Sequence, residues 1–383
     1  MARKNRVALI LSGGGARAAY QVGVLRAIRE LQSSSQRHPP HRNPFSILCG
    51  TSAGAINAAT LACYSHNFAA AVDALNDVWC NMHAGQIYRA DPWGVGAGLS
   101  RWLGSVLFGW VVKKSPRSLF DNRPLRQLLE KFLEFGNIQR SLDKGSLYAL
   151  SITASGYASG DSVSFYQAHP EIHSWRRAQR VGCRTAISID HLLASSAIPY
   201  IFPAVHLNRE FFGDGSMRQL APLSPAIHLG AEKLLIIGVA QMDEVPPRQS
   251  SKTYPSLAQI AGHILASIFL DSLGADVERM ERINRTLATI PKELLDSGQL
   301  ALRPIQSLTI APSERLDLLA AKHAHALPWA VRSLLHAFGA MNRRGGALAS
   351  YLLFEKPYTQ ALIGLGYHDA MARREDILAF LDL

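Results

Sequence analysis

Little in this chain can act as a covalent staple. Its four cysteines, Cys49, Cys63, Cys80 and Cys183, include no C-x-x-C pair, so there is no paired redox motif and no zinc-finger spacing. Cys49 lies in an apolar run, where a small thiol packs as a hydrophobe, and a reducing compartment is expected. A long Lys/Arg block is also lacking. Basic residues fall in separate pairs, Arg176 with Arg177, Arg343 with Arg344 and Arg373 with Arg374, which fit solvated helix faces better than a nucleic-acid footprint. No nucleic-acid partner is expected. The basic start MARKNR is followed by an apolar stretch of only Val7 to Leu11. That is too short for a signal peptide, although Ala16-Arg17-Ala18 imitates a cleavage site. The chain is expected to be cytoplasmic, made without an export signal. Internal repeats and low-complexity tracts are absent too.

What is present is a globular sequence of 383 residues, 48% hydrophobic, long enough to bury one large core or two smaller ones. The formal charge of +11 favours contact with anionic surfaces. Apolar Val7 to Leu11 ends at Ser12 and three glycines, after which Ala16 to Leu31 has helical spacing. Ser33 to Pro44 reads as a loop. Phe45 to Cys49 resumes an apolar strand before Gly50, and a helical stretch runs from Ala53 to Cys63. Further strands are expected at Leu147 to Ala154, Ser162 to Gln167 and Leu234 to Ala240. Strands alternating with helices give an α/β fold with a largely parallel central sheet. From Gln241 the character changes: a proline-containing loop, Val245 to Pro255, leads into mainly helical segments, among them Ser256 to Leu273 and Leu327 to Phe338. The expected division is a catalytic domain, residues 1–240, and a mainly helical C-terminal extension, residues 241–383, packed on it.

Gly50-Thr51-Ser52-Ala53-Gly54 fits G-x-S-x-G, the nucleophile elbow, whose small flanking residues permit a sharp turn that exposes the serine between strand and helix. The apolar run before it and the Ala-rich helix after it supply the strand-turn-helix setting that the motif requires. A bland reading competes, in which Thr51 or Ser52 merely caps a helix. A second element, Gly13-Gly14-Gly15-Ala16-Arg17, follows the first strand. Unobstructed N–H groups at a helix N-terminus suit a developing oxyanion. Gly13, Gly15 and Ala18 also satisfy the dinucleotide fingerprint G-x-G-x-x-A. The second strand, however, ends Leu48-Cys49-Gly50 and lacks the carboxylate that a ribose would need. In the third element, Gly213-Asp214-Gly215, the preceding Phe211 and Phe212 can dry the carboxylate. Aspartate titrates near 4 unperturbed, so a general base here needs hydrogen-bond reach to the serine and a raised pKa.

Together these blocks, with Ala194-Ser195-Ser196-Ala197-Ile198-Pro199 and Phe202-Pro203 between them, resemble the patatin-like phospholipases and occur in that family's order. The segment from Ser350 to Glu355, through Leu365-Gly366-Tyr367, looks like the C-terminal part of bacterial members. Ser216 stands where the family usually has Gly or Ala after Asp-Gly. The resemblance implies a three-layer α/β fold and a Ser52–Asp214 dyad without histidine. Gly13, Gly14 and Gly15, with Ala53, would form the oxyanion hole, and no metal or cofactor is implied. Arg17 would orient the glycine loop or meet a phosphate. The implied reaction is phospholipase A or lysophospholipase hydrolysis of phospholipid or lysophospholipid acyl esters through an acyl-enzyme. The alternative is a catalytically silent membrane-binding or scaffolding protein on the same fold.

Fourteen histidines raise the possibility of a conventional triad, yet none of His228, His263, His323, His325 and His368, all after Asp214, has a distinguishing context. Within Trp93 to Val112, Leu99, Trp102, Leu103, Val106, Leu107, Trp110 and Val111 recur at helical spacing before Lys113 and Lys114. Arg101 and five glycines argue against a spanning helix. The segment 93–114 is expected to be an interfacial helix or lid touching an anionic membrane peripherally, or else a helix buried against the core.

Overall fold

The computed structural model describes residues 6–35, 39, 41–97, 99–100, 118–241, 257–269, 271–296, 302–337 and 346–383. Apolar Val7–Leu11 forms β1 and passes through the glycine loop and a 3-10 turn, Gly15–Ala18, into α1, Ala19–Ser34. Strand β2, Ile47–Thr51, turns at once into α2, Ala53–Cys63, followed by α3, Phe68–Cys80. Helices α4, Arg123–Phe132, and α5, Gly136–Asp143, lead to β3, Ala149–Gly156, and β4, Ser162–Ala168. Short strands β5, Trp175–Arg177, and β6, Arg180–Arg184, precede α6, Ile189–Ser195, and the hairpin of β7, Val205–Leu207, and β8, Glu210–Asp214. Next come α7, Ser224–His228, and β9, Lys233–Ile237. Within the expected helical segment 256–273 lie α8, Leu257–Phe269, and the start of α9, Asp271–Leu287, which is followed by α10, Lys292–Asp296. Strand β10, Gln306–Ile310, interrupts the helical C-terminal part, which continues as α11, Leu316–His323, α12, Trp329–Ala337, α13, Gly346–Leu352, α14, Lys356–Ala372, and α15, Arg374–Leu381.

Strands β10, β9, β1, β2 and β3 run parallel in that order, and β4, β6 and β5 extend the sheet beyond β3. Alternation along the inner strands makes three layers. Leu9, Leu11, Leu48, Leu235 and Ile237 face a core shared with α1, α2, α13 and α14. Ala8, Ile10, Ile47, Leu234 and Ile236 face a second core shared with α7 and α9. Each fully buried Leu or Ile contributes roughly 2 kcal/mol. Helices α1 and α14 cross backbone to backbone: a Cβ on Gly23 would lie 2.0 Å from the Ile363 carbonyl oxygen, and one on Gly366 would lie 2.1 Å from that of Tyr20. The C-terminal part is thereby seated on the first helix.

One feature of the sheet places the site. Strand β4 occupies one edge of β3 from Ala149 to Ser155. The other edge is shared: β2 pairs with residues 149–153 and β8, antiparallel, with 154–156. Thr51 therefore faces Thr153 and Asp214 faces Ala154, on successive residues of one strand.

Most of the segment 93–114 lies outside the described residues. Of its start, 92–97 and 99–100 are helical, with Trp93 85% exposed. Among the described residues no helix is long and apolar enough to cross a membrane.

Candidate active site

The elbow is built by what its glycines lack. A Cβ on Gly50 would meet the Gly54 carbonyl oxygen at 2.4 Å, and a Cβ on Gly54 would meet those of Leu11 and Ser12 at 2.3 and 2.6 Å. Only bare backbone lets the start of α2 press against the end of β1. Between them Ser52 adopts φ 55°, ψ −128°, a conformation that side chains avoid and that costs on the order of 1–3 kcal/mol unless its surroundings impose it. Ser195 supplies part of that imposition. Its Oγ accepts the Ser52 N–H at 2.9 Å and donates to the Thr153 carbonyl at 2.6 Å, all buried. On the far side Thr51 donates to Gln219 Oε1 at 2.8 Å, and Gln219 donates to the Thr153 hydroxyl at 3.3 Å. The ends of β2 and β3 are thus clamped from both faces.

Asp214 is fully buried. Its N–H donates to the Ala197 carbonyl at 2.9 Å, and its Oδ1 accepts from the Ser216 N–H at 2.9 Å. Burial pushes its pKa from an ordinary 3.8 up to about 6, restrained by hydrogen bonding from the Ser52 hydroxyl and from Ser216. Oδ2 nonetheless has no partner of full hydrogen-bond geometry. A carboxylate held by one oxygen, with the other turned loose beside a hydroxyl, has spare accepting capacity for one proton. Among the described residues no histidine hydrogen-bonds to Ser52 or Asp214.

The glycine loop enters from β1. Gly15 has φ +56°, and a Cβ there would lie 2.3 Å from the Tyr351 carbonyl oxygen. Among the described residues no backbone carbonyl accepts from the N–H of Gly13, Gly14 or Gly15. Gly15, Ser52 and Ala53 help to line an apolar pocket. Its walls are Ile56 of α2, Leu75, Val78 and Trp79 of α3, Leu125 and Leu129 of α4, and Phe354. Arg17 does not face this pocket. It is 4% exposed, its Nε donates to Ser350 Oγ at 2.8 Å, and its guanidinium lies 4.3 Å from the centre of the Tyr351 ring.

The structure therefore brings Ser52, Gly15 and Ala53 to one pocket, with Asp214 buried beside Ser52 but outside the pocket lining, Gly13 lining a different pocket and Arg17 set behind the loop. Ser195 and Gln219 carried no assigned role in the sequence. A serine or glutamine that bridges strands leaves no local pattern, and only the family-like block around Ser195 marked it out.

A buried carboxylate thus lies beside an elbow serine, on an α/β sheet with an apolar pocket. The family model described as patatin-like phospholipase matches residues 9–227, and the chain belongs to that family, whose members characteristically hydrolyse lipid esters. A solved structure described as VipD from Legionella pneumophila is similar at 11% identity and a TM-score of 0.32, covering 94% of this chain and 67% of that one. No curated protein sequence matches the chain.

Proposed function

We propose that the protein is a serine lipid acyl hydrolase of phospholipase A or lysophospholipase type, acting through a Ser52–Asp214 dyad. The observation that carries this reading is the strained Ser52 beside a fully buried Asp214, at the head of an apolar pocket. Asp214, ionised at neutral pH, takes the Ser52 proton as Oγ attacks the ester carbonyl. It returns that proton to the leaving alcohol, and water then repeats the sequence on the acyl-enzyme. N–H groups of the Gly13–Gly15 loop and of Ala53 stabilise the oxyanion, and each such donor is worth about 3–4 kcal/mol of barrier. The dipole of α2 adds about 0.3–1 kcal/mol. The acyl chain lies between α3 and α4, as the apolar lining favours. A silent scaffold on this fold would leave the raised pKa of Asp214 without use.

In this reading residues 1–240 form the catalytic unit, and 241–383 form an extension that braces it through Ser350 and Tyr351. Peripheral contact with anionic membranes falls to 93–114, where Trp93 is already exposed. Each basic residue near such a surface adds about 1 kcal/mol, so vesicle binding should weaken as salt rises. Incubation with a panel of phospholipids and lysophospholipids, with products identified by mass spectrometry, tests the assignment. Free fatty acid is expected from wild type and not from Ser52→Ala or Asp214→Asn. Release from no lipid ester would overturn it.

A further inference from the structure

A buried chain of hydrogen bonds joins the wall of the apolar pocket to the glycine loop. The Trp79 indole N–H donates to Asn57 Oδ1 at 2.9 Å, Asn57 Nδ2 donates to Gln21 Oε1 at 2.9 Å, and Gln21 Nε2 donates to the Ser12 carbonyl at 2.8 Å. Asn57 Nδ2 also reaches the Ala18 carbonyl at 3.3 Å. Gln21 and Asn57 are fully buried and Trp79 is 3% exposed. The chain thus grips a carbonyl on each side of the glycine loop, Ser12 before it and Ala18 after it. Both amides point the same way, so each bond polarises the next, and the low dielectric around them strengthens the effect. At the other end the Trp79 ring lines the pocket and stacks on Phe354 at 6.4 Å.

We propose that Trp79, Asn57 and Gln21 form a positioning relay through which an acyl chain in the pocket sets the geometry of the oxyanion loop. This rests on the hydrolase reading above. Three observations support it beyond simple satisfaction of buried polar groups. The relay ends on the peptide that opens the glycine loop rather than on a helix. The Ser12 carbonyl it holds is one of the two, with that of Leu11, against which Gly54 packs, so elbow and loop share this anchor. Its origin is a side chain that lines the pocket an acyl chain would enter. None of the three touches the reacting atoms, and all act through the loop. A chain pressed against Trp79 fixes the indole, and the indole fixes Asn57 and Gln21. The loop N–H groups are then held for the oxyanion, so the gain from a longer chain appears in kcat as well as in KM.

The test uses the full chain with dodecanoyl and butyryl p-nitrophenyl esters on wild type, Trp79→Phe, Gln21→Met and the double variant. The ratio of kcat for the longer to the shorter ester should fall about fivefold in each single variant, the rate equivalent of one net hydrogen bond. It should fall no further in the double variant, because one break already uncouples the relay. An unchanged ratio, or losses that multiply, would mean that these residues only support the core, and would overturn the proposal. A second readout does not need turnover. Dodecanoate should slow amide hydrogen exchange in the segment 12–18 of wild type and not in Gln21→Met. Slowing in both, or in neither, overturns the relay. Should wild type cleave neither ester, the hydrolase reading fails while the exchange experiment still decides the relay. If Gln21→Met does not fold, Gln21→Glu keeps the shape, removes the donor to Ser12 and takes its place in both measurements.

Discussion

Ser195 Oγ accepts the Ser52 N–H and donates to the Thr153 carbonyl, so the backbone of the elbow serine hangs from β3, the strand with which Asp214 of β8 pairs. Replacing Ser195 by alanine leaves a buried N–H without its acceptor and should destabilise the protein by about 1–3 kcal/mol. Because Ser52 is held at φ 55° partly by this bond, its reaction with a fluorophosphonate should also slow, by roughly tenfold if about 1.4 kcal/mol of positioning is lost. Thermal melts and labelling rates measured on the same variant check both. Loss of stability with an unchanged labelling rate would mean that Ser195 serves the fold alone.

The buried carboxylate makes two opposite pH predictions. Activity needs ionised Asp214, so kcat/KM should rise through an acid limb near pH 6 and then level off. Stability runs the other way. With a folded pKa of about 6 against an ordinary 3.8, the native state holds the proton more tightly than the unfolded chain. The favourable contribution is complete below about pH 4 and lost as pH rises through 6. The difference, about two pKa units, corresponds to about 3 kcal/mol. Asp214→Asn should therefore be inactive yet melt higher than wild type at pH 8, with the gap closing toward pH 4. Melting curves across that range decide the sign.

Arg17 should behave as a brace. Arg17→Met removes the bond to Ser350 and the stacking on Tyr351 and should lower kcat, with KM within about twofold, because lost transition-state interactions appear in kcat. Ser350→Ala should show a smaller effect of the same kind. A KM that rises severalfold for phospholipids, but not for an uncharged ester, would instead assign Arg17 to phosphate binding.

Two glycines offer a contrast in sign. Gly54→Ala forces a Cβ against the carbonyls of Leu11 and Ser12, and such overpacking costs about 1–3 kcal/mol or more. Labelling at Ser52 should be lost with it. Gly364, within α14, has nothing within 4 Å of an added Cβ. Gly364→Ala should stabilise the protein by about 0.5–1 kcal/mol through helix propensity. Denaturant melts of the two variants make the comparison.

Much of the fold was legible because its signals are local. Val7–Leu11 and Ile47–Thr51 are apolar runs that stop at glycines, and the elbow follows from residues adjacent in sequence. Asp214 could be nominated from its glycines, but its place beside Ser52 could not, since that depends on β3 outlasting β2 and leaving Ala154 to Gly156 for an antiparallel partner. Long-range partners were hidden for the same reason: Ser195 lies 143 residues from Ser52, and Ser350 lies 333 from Arg17. Strand β10 was missed because Gln306–Ile310 is short, alternates only weakly and sits among helical segments. The lipid-contacting role expected of 93–114 falls mainly outside the described residues.

Fluorophosphonate labelling followed by peptide mass spectrometry tests the central claim most directly. A single adduct on Ser52 is expected in wild type, much slower labelling in Asp214→Asn, and none in Ser52→Ala. Undiminished labelling of Ser52→Ala, or an adduct on another serine of the wild-type protein, would contradict the Ser52–Asp214 account.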